Sequence, residues 1–386
     1  MNLKGVTYNL THYFSKHPSR KLEELYASVG IMDLAMAAII IFEPIYLWKI
    51  GYSLQQIMLF YFLIYALYFL LLPLAGKFVA YLGYERSILI SCFFLIFFYL
   101  SLFLIPYHAV FFILAFVMCA CYKSLYWPAY HADFVEYSDS PDRGRQTAGL
   151  VSISTIVYVI GPVLGGFIIQ FFGFNVLFLV VSILILISNI PLFITKERLP
   201  KEQFSYFSTF RMAYKKPGFR SFLAYLGFGE ELIVLVVWPI FIFWVIKDYF
   251  SIGGLVALTT LITSLILLYI GKMTDKRDKR RLIKAGSVLY SGAWFLRILA
   301  ATGLHVFFID IFSRVSKDVI SVPLLALTYD RASRSEILKS VVFFEQSLAF
   351  GKLLAALIIY ILLFFFAGWT AAFVIAGLMT FLYVLL

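Results

Sequence analysis

The chain has 386 residues, of which 62% are hydrophobic and 14% charged, against about 25% charged in a soluble globular protein. With a mean hydropathy of +0.93, the composition excludes an ordinary soluble domain and points to a polytopic membrane protein. The net charge of +11 does not argue for nucleic acid, because the basic residues sit in short loops between apolar runs, where the cytoplasmic bias of Lys and Arg accounts for them.

About 20 apolar residues cross a bilayer. On that ruler the chain begins with a polar, basic segment, 1–25, in which a lead-in helix is expected from near Ser19 and no cleaved signal is expected. Twelve spans are then expected near 26–48, 54–79, 87–105, 108–130, 146–171, 174–194, 219–246, 252–272, 282–302, 304–328, 339–366 and 369–386. The longest and most charged connection, 195–218, separates six spans from six. The expected fold is therefore an all-α membrane protein of two pseudo-symmetric six-helix bundles, 26–194 and 219–386, joined by that central loop.

Lys and Arg set the orientation. They cluster at the N-terminus (Lys4, Lys16, Arg20, Lys21), in the central loop (Lys196 to Arg220) and after span 8 (Lys272 to Lys284). The connections on the opposite side carry only Lys49 and Lys247. The bias places the N-terminus and the central loop in the cytoplasm, and the plasma membrane is the expected location. Cys92, Cys119 and Cys121 lie inside apolar runs and form no disulfide framework or zinc spacing. No P-loop is present. Neither a metal nor a cofactor is expected, and the expected partners are a small-molecule substrate, protons and the bilayer, with the chain as a monomer.

The halves echo each other. Gly76-Lys77 follows span 2 and Gly271-Lys272 follows span 8; Pro128 and Pro323 recur at the same offset; His108-Ala-Val-Phe-Phe-Ile is answered by His305-Val-Phe-Phe-Ile. Duplicated halves of this kind are a common transporter plan.

Twelve spans, cytoplasmic termini and a charged central loop resemble the major facilitator superfamily. Its signature after spans 2 and 8 reads Gly-x-x-x-Asp-Arg/Lys-x-Gly-x-Arg/Lys-Arg/Lys. The second copy here keeps Gly271, Asp275, Lys276, Arg280 and Arg281 but has Asp278 at the glycine position. The first keeps Gly76 and Gly83 but has Ala80 in place of the aspartate. Span 5 carries Gly161-Pro162-Val-Leu-Gly165-Gly166, similar to the core of the superfamily's antiporter motif, with Val157 at the upstream glycine position. Small residues four apart also let helices approach closely, so the same stretch reads equally as packing. The loop from Asp133 to Arg145 resembles the superfamily's Arg-Gly loop leading into span 5, and a solvated turn is the plainer reading.

Ionisable residues within spans are costly, at about 2.5–3.5 kcal/mol near the bilayer centre, and normally face a bundle interior. Most of them fall in spans 1, 4, 7 and 10, which the resemblance implies line a central cavity: Asp33, Glu43, Lys123, Glu230, Glu231, Asp310, Arg314, Lys317 and Asp318. Arg297, Glu345 and Lys352 fall elsewhere. Asp310, Arg314 and Asp318 recur every four residues and share one helical face. At about 1.5 Å per residue, Asp33, Lys123, Glu230, Lys317 and Asp318 lie about 10–15 Å from the cytoplasmic ends of their spans and are expected in one layer. Structural ion pairing is one reading. Proton coupling is the other, for Asp33 and for one of Glu230 and Glu231, since adjacent residues point in different directions. Glu43, Asp310 and His131 are expected nearer the interfaces, and Trp127 is a candidate for the cavity wall.

These residues predict a secondary transporter working by alternating access, with two readings of its cargo: proton-coupled efflux of amphipathic or cationic compounds, which the span 5 resemblance favours, and proton-coupled uptake of a sugar, organic acid or similar nutrient, for which Lys123, Arg314 and Lys317 would hold an anion. A membrane-embedded enzyme would need clustered catalytic groups, and the scattered histidines do not supply them. A non-transporting scaffold or receptor on the same fold is the remaining alternative.

Overall fold

The computed structural model describes residues 19–137, 143–194, 204–214, 216–276, 278–332, 336–366 and 368–386, and these are built from helices and their connections. Helix α1, Arg20–Ile39, starts where expected: the Ser19 side chain accepts a hydrogen bond from the Leu22 amide at 3.3 Å. After a turn, α2 (Phe42–Lys49) completes the first run. Helix α3, Leu54–Leu82, opens with a reciprocal Ser53/Gln56 capping box. Gly83 ends it and opens α4, Tyr84–Leu104, at φ 102°, a left-handed conformation that favours glycine.

Helix α5 spans Val110–Tyr137. Helix α6, Arg143–Ser188, is broken at Gly173 (φ 85°), where the chain turns from one helical run into the next. Short helices α7 (Ser208–Tyr214) and α8 (Lys216–Tyr225) lead into a discontinuous segment: a 3-10 turn at Leu226–Phe228, α9 (Gly229–Leu235) and α10 (Val237–Ile246). Then come α11 (Tyr249–Lys276), α12 (Lys279–Arg297), α13 (Gly303–Ala332), α14 (Ile337–Leu362) and α15 (Thr370–Thr380), with a final 3-10 turn at Phe381–Leu385.

Among the described residues, eight helical stretches are long and apolar enough to cross a membrane, and 370–385 forms a shorter apolar one. Helices α12 and α13 have membrane length but are interrupted by charge, α13 at Asp310, Arg314, Lys317 and Asp318. The chain is thus an integral, multi-pass membrane protein. Large apolar side chains such as Phe97, Ile156, Phe171 and Leu265 are exposed on its outside, as suits a surface facing lipid. Several hydroxyls inside the helices donate to carbonyls one turn back, as Ser124 does to Ala120 and Ser347 to Phe343, which satisfies those donors in an apolar medium.

Two close packings position the site. Helix α6 lies along α1 and α11. A side chain at Gly161 or Gly165 would run into the Ala37–Ala38 backbone, one at Gly166 into the Tyr249 carbonyl, and one at Gly253 into the Pro162 carbonyl. The span 5 glycines are therefore used for helix contact. In the second packing α3 lies along α14. Rings close one end of the bundle: Trp48 lies 5.8 Å from Trp369, Tyr249 packs on Phe42, Phe174 and Phe243, and Lys49 sits 5.6 Å above the Tyr249 ring. Beside this seal Asp248 caps α11, and hydrogen bonds from Ser251 hold its carboxyl below the usual carboxylate range.

The two signature copies diverge at their seventh residue after the first glycine. Gly83 turns the chain with a positive φ, whereas Asp278 occupies the equivalent place in an extended conformation and caps α12, accepting from the Arg280 amide at 2.9 Å. Gly76 packs against the Phe204 ring. The surroundings of Gly271, the side chains of Asp275 and Lys276 and the residue Arg277 lie outside the described residues, as do 138–142 and the side chains of Arg143 and Arg145 in the Arg-Gly loop.

Candidate functional site

A cavity of about 500 Å³ lies between α5, α6, α9, α11, α12 and α13. One wall, from α5 and α6, is uncharged: Tyr130, Leu150, Ser154, Thr155 and Tyr158. Asp33 stands behind it on α1, half-buried, accepting a 2.5 Å hydrogen bond from the Ser154 hydroxyl. The other wall carries Glu231, Arg297, Asp310, Arg314, Lys317 and Asp318.

Two networks organise the charged wall. In the first, Glu230 is fully buried and receives Lys317, the Tyr290 hydroxyl at 2.7 Å and the Tyr383 hydroxyl at 3.1 Å. Glu231 bridges Lys317 at 3.2 Å and Lys352 at 2.9 Å. This arrangement depends on a close crossing of the broken segment with α14. A side chain at Gly229 would meet the Gly351 carbonyl at 2.5 Å, and one at Gly351 would meet Leu226. The 3-10 turn before α9 then sends the two glutamates different ways, Glu231 to the cavity wall and Glu230 into the protein.

In the second network Asp310 accepts from Arg314 at 2.6 Å, from the Trp238 indole at 3.0 Å and from Thr259 at 3.0 Å. The Asp310–Arg314 pair is the four-residue spacing read from the sequence, now seen as a contact. Arg297, 2% exposed, donates to Ser313 at 2.8 Å and lies between the Trp238 and Trp294 rings. Asp318 lines the cavity one turn below Arg314, with no hydrogen bond or ion pair among the described residues. Charge-assisted bonds of this kind are strong in a low-dielectric interior, and removing one member leaves the other uncompensated.

The expected single layer is only partly assembled. Glu230, Glu231 and Lys317 come together; Arg314 and Asp318 share their wall; Asp33 is on the far side, and Lys123 stands apart, 5.6 Å above the Tyr65 ring. Lys352 lies over the same ring at 5.7 Å. Three residues expected near the ends of their spans are buried within the protein. Glu43 is buried and accepts from Tyr61 at 2.7 Å; Asp310 is 2% exposed; His131 is buried, 3.2 Å from Glu345, which also accepts from Tyr68 at 2.7 Å. Each found a polar partner on a neighbouring helix, which a position within one span does not reveal. Trp127 stacks on His131 and is not among the cavity-lining residues.

Arg297, Lys352, Tyr290 and Tyr383 belong to the site without having been candidates. The first two carried a signal, charge within an apolar span, but lie in spans 9 and 11, outside the set that the family resemblance implies. The tyrosines carried none, because tyrosine is common throughout this chain. Among the described residues no group of three or more His, Cys, Asp and Glu could hold a metal ion.

A polar cavity among the helices of a multi-pass membrane protein, with opposed charged and neutral walls, fits a membrane carrier. The profile of the Major Facilitator Superfamily matches residues 25–246, more than half of the chain, and the chain belongs to that transporter superfamily. It is also similar to the uncharacterized protein YqgE of Bacillus subtilis (strain 168), 21% identical over 341 residues, covering 85% of this chain and 79% of YqgE.

Proposed function

We propose that this chain is a secondary active transporter that moves a small polar solute by alternating access. Its twelve spans form two six-helix halves, 26–194 and 219–386, that rock about the cavity, with 195–218 linking them. The observation that carries this reading is the cavity of about 500 Å³, walled by residues from both halves; sites of this kind at the interface of duplicated units are what alternating access requires. The protein acts as a monomer in the plasma membrane with its N-terminus in the cytoplasm, the side favoured by the basic loops. On that orientation the Trp48–Trp369 seal is the outer gate, and Tyr130, Leu150 and Leu267 lie toward the cytoplasmic opening.

Transport is coupled to protons. Asp33 is the best placed acceptor, since its described partner is a neutral hydroxyl, whereas Glu230 and Glu231 are tied to lysines. Export of amphipathic or cationic compounds is supported by the span 5 resemblance, although those glycines are also fully used in packing. Uptake of an organic acid or similar nutrient is the second reading, favoured by the two arginines on the cavity wall.

The test is flux in liposomes containing the purified protein and a pH-sensitive dye, challenged with lipophilic cations, sugars and organic acids. One class is expected to drive saturable proton movement, and Asp33→Asn to bind that solute while transport loses its pH dependence. Wild-type rates and an unchanged pH profile in both Asp33→Asn and Glu230→Gln/Glu231→Gln would sink the proton coupling. Solute binding without flux would favour a receptor.

A further inference from the structure

The guanidinium of Arg297, on the cavity wall, is a buried cation with two unpaired donors. Its carbon lies 3.8 Å from the Trp294 ring centre and 4.3 Å from that of Trp238, so two indoles hold it. Nη2 donates to Ser313, but buried Nε and Nη1 have no hydrogen-bond partner. Buried donors are nearly always paired, and leaving one on a charged group unpaired is expensive. Asp310 attracts Arg297 but makes no hydrogen bond to it; its oxygens receive Arg314, Trp238 and Thr259. Arg314 spends Nε on Asp310 and keeps 36% of its side chain exposed. Two guanidinium groups thus reach one cavity wall, with Asp310 beside them already holding three donors and Asp318 one turn from Arg314.

The facing surface of α11 has the opposite bias. Thr260, Thr263 and Ser264 line the cavity, and each hydroxyl donates to its own helix, at 2.7, 3.1 and 2.6 Å. Toward the cavity they offer lone pairs, which suit a donor rather than an anion. The anion-seeking edge is therefore confined to Arg297 and Arg314.

We propose that Arg297 and Arg314 receive the carboxylate of a small organic acid, which is the transported solute or the group by which it is recognised. This rests on the transport reading of the same cavity but not on its direction. The planar forks of arginine match a carboxylate in bidentate geometry, and the Trp238–Trp294 sandwich fixes the orientation of Arg297 before binding. The unpaired edge has no solvent-accessible surface in this conformation. An entering acid meets Arg314 first, and Arg297 engages as its Ser313 contact yields.

The test uses the purified full-length protein in detergent, reading melting temperature and tryptophan emission. The probes are lactate, succinate and benzoate, each beside its amide, with inorganic phosphate and tetraphenylphosphonium. At least one acid is expected to stabilise the protein saturably and change the emission, while its amide does neither. Loss of a charge-assisted hydrogen bond worth about 1.5–3 kcal/mol weakens that acid by roughly tenfold or more in Arg314→Gln and Arg297→Gln, and Arg297→Lys, which keeps charge but loses the fork, weakens it too. Since Arg297→Gln alters a buried group, Arg314→Gln and Ser313→Ala carry the test wherever that variant does not purify. The inference falls if no acid shifts the protein, if phosphate or tetraphenylphosphonium alone does, if amides match acids, or if acid affinity is unchanged in Arg314→Gln and Arg297→Lys. Flux of a non-acid solute in liposomes would leave the transport reading standing without it; acid binding with no flux of any solute would do the reverse.

Discussion

The wall from α5 and α6 presents hydroxyls and rings, with one carboxylate held behind Ser154, whereas the wall from α9, α12 and α13 presents interlocked ions. The ion pairs on the second wall join residues of 219–386 to one another: Glu230, Glu231, Lys317 and Lys352 in one network, Asp310 and Arg314 in the other. Contacts across to 26–194 are of a different kind. They include ring packing at the Trp48–Trp369 seal, close glycine crossings at Gly166 and Gly253, the Tyr68 and His131 contacts to Glu345, and the Gln55 bond to the Tyr360 carbonyl. If the halves rock as proposed, the expensive interactions travel intact within one of them. What must break and re-form among the described residues is packing, the Tyr68 and His131 contacts to Glu345, the Gln55 bond to the Tyr360 carbonyl and the Lys49 and Lys352 contacts to tyrosine rings, while the lysine–glutamate and arginine–aspartate pairs stay together.

That contrast can be broken most sharply at Lys317. Lys317→Ala leaves Glu230 buried without its cation and is expected to cost about 3–5 kcal/mol, seen as a large fall in melting temperature in detergent. Lys317→Met/Glu230→Gln removes both charges and is expected to recover much of that loss. Failure of the double variant to recover would mean that the network is not an isolated charge pair but a scaffold for the whole wall.

The glycine crossing comes next. Gly165→Leu puts a side chain into the Ala38 carbonyl, and overpacking of this kind costs about 1–3 kcal/mol. Lower thermal stability and loss of transport are expected; unchanged melting would show that α1 and α6 can separate freely. The smallest effect belongs to the neutral wall. Ser154→Ala deletes the hydrogen bond to Asp33, about 0.5–1.5 kcal/mol. Stability is expected to change little while the pH profile of transport moves, and an unmoved profile would detach Asp33 from the coupling.

Much of this was readable before any coordinates. The helix start near Ser19 and the Asp310–Arg314 spacing are local signals: a cap or a four-residue repeat acts within one turn of chain, so sequence alone carries it. The cost of charge in an apolar run likewise flagged Glu230, Glu231 and Lys317 without naming their partners. Arg297 and Lys352 showed the same flag, but their importance depends on which spans face the cavity.

The sequence by itself determined the membrane class, the helical runs and the places where they carry charge, because hydropathy, capping and helical periodicity are properties of neighbouring residues. Only the tertiary structure decided which charges meet. It joined Glu231 to Lys352 across a glycine crossing, turned Glu43, Asp310 and His131 inward, and set Arg297 between two tryptophans with two donors unpaired. Those outcomes follow from how helices distant in the chain pack, since burial and pairing are settled between helices rather than within one.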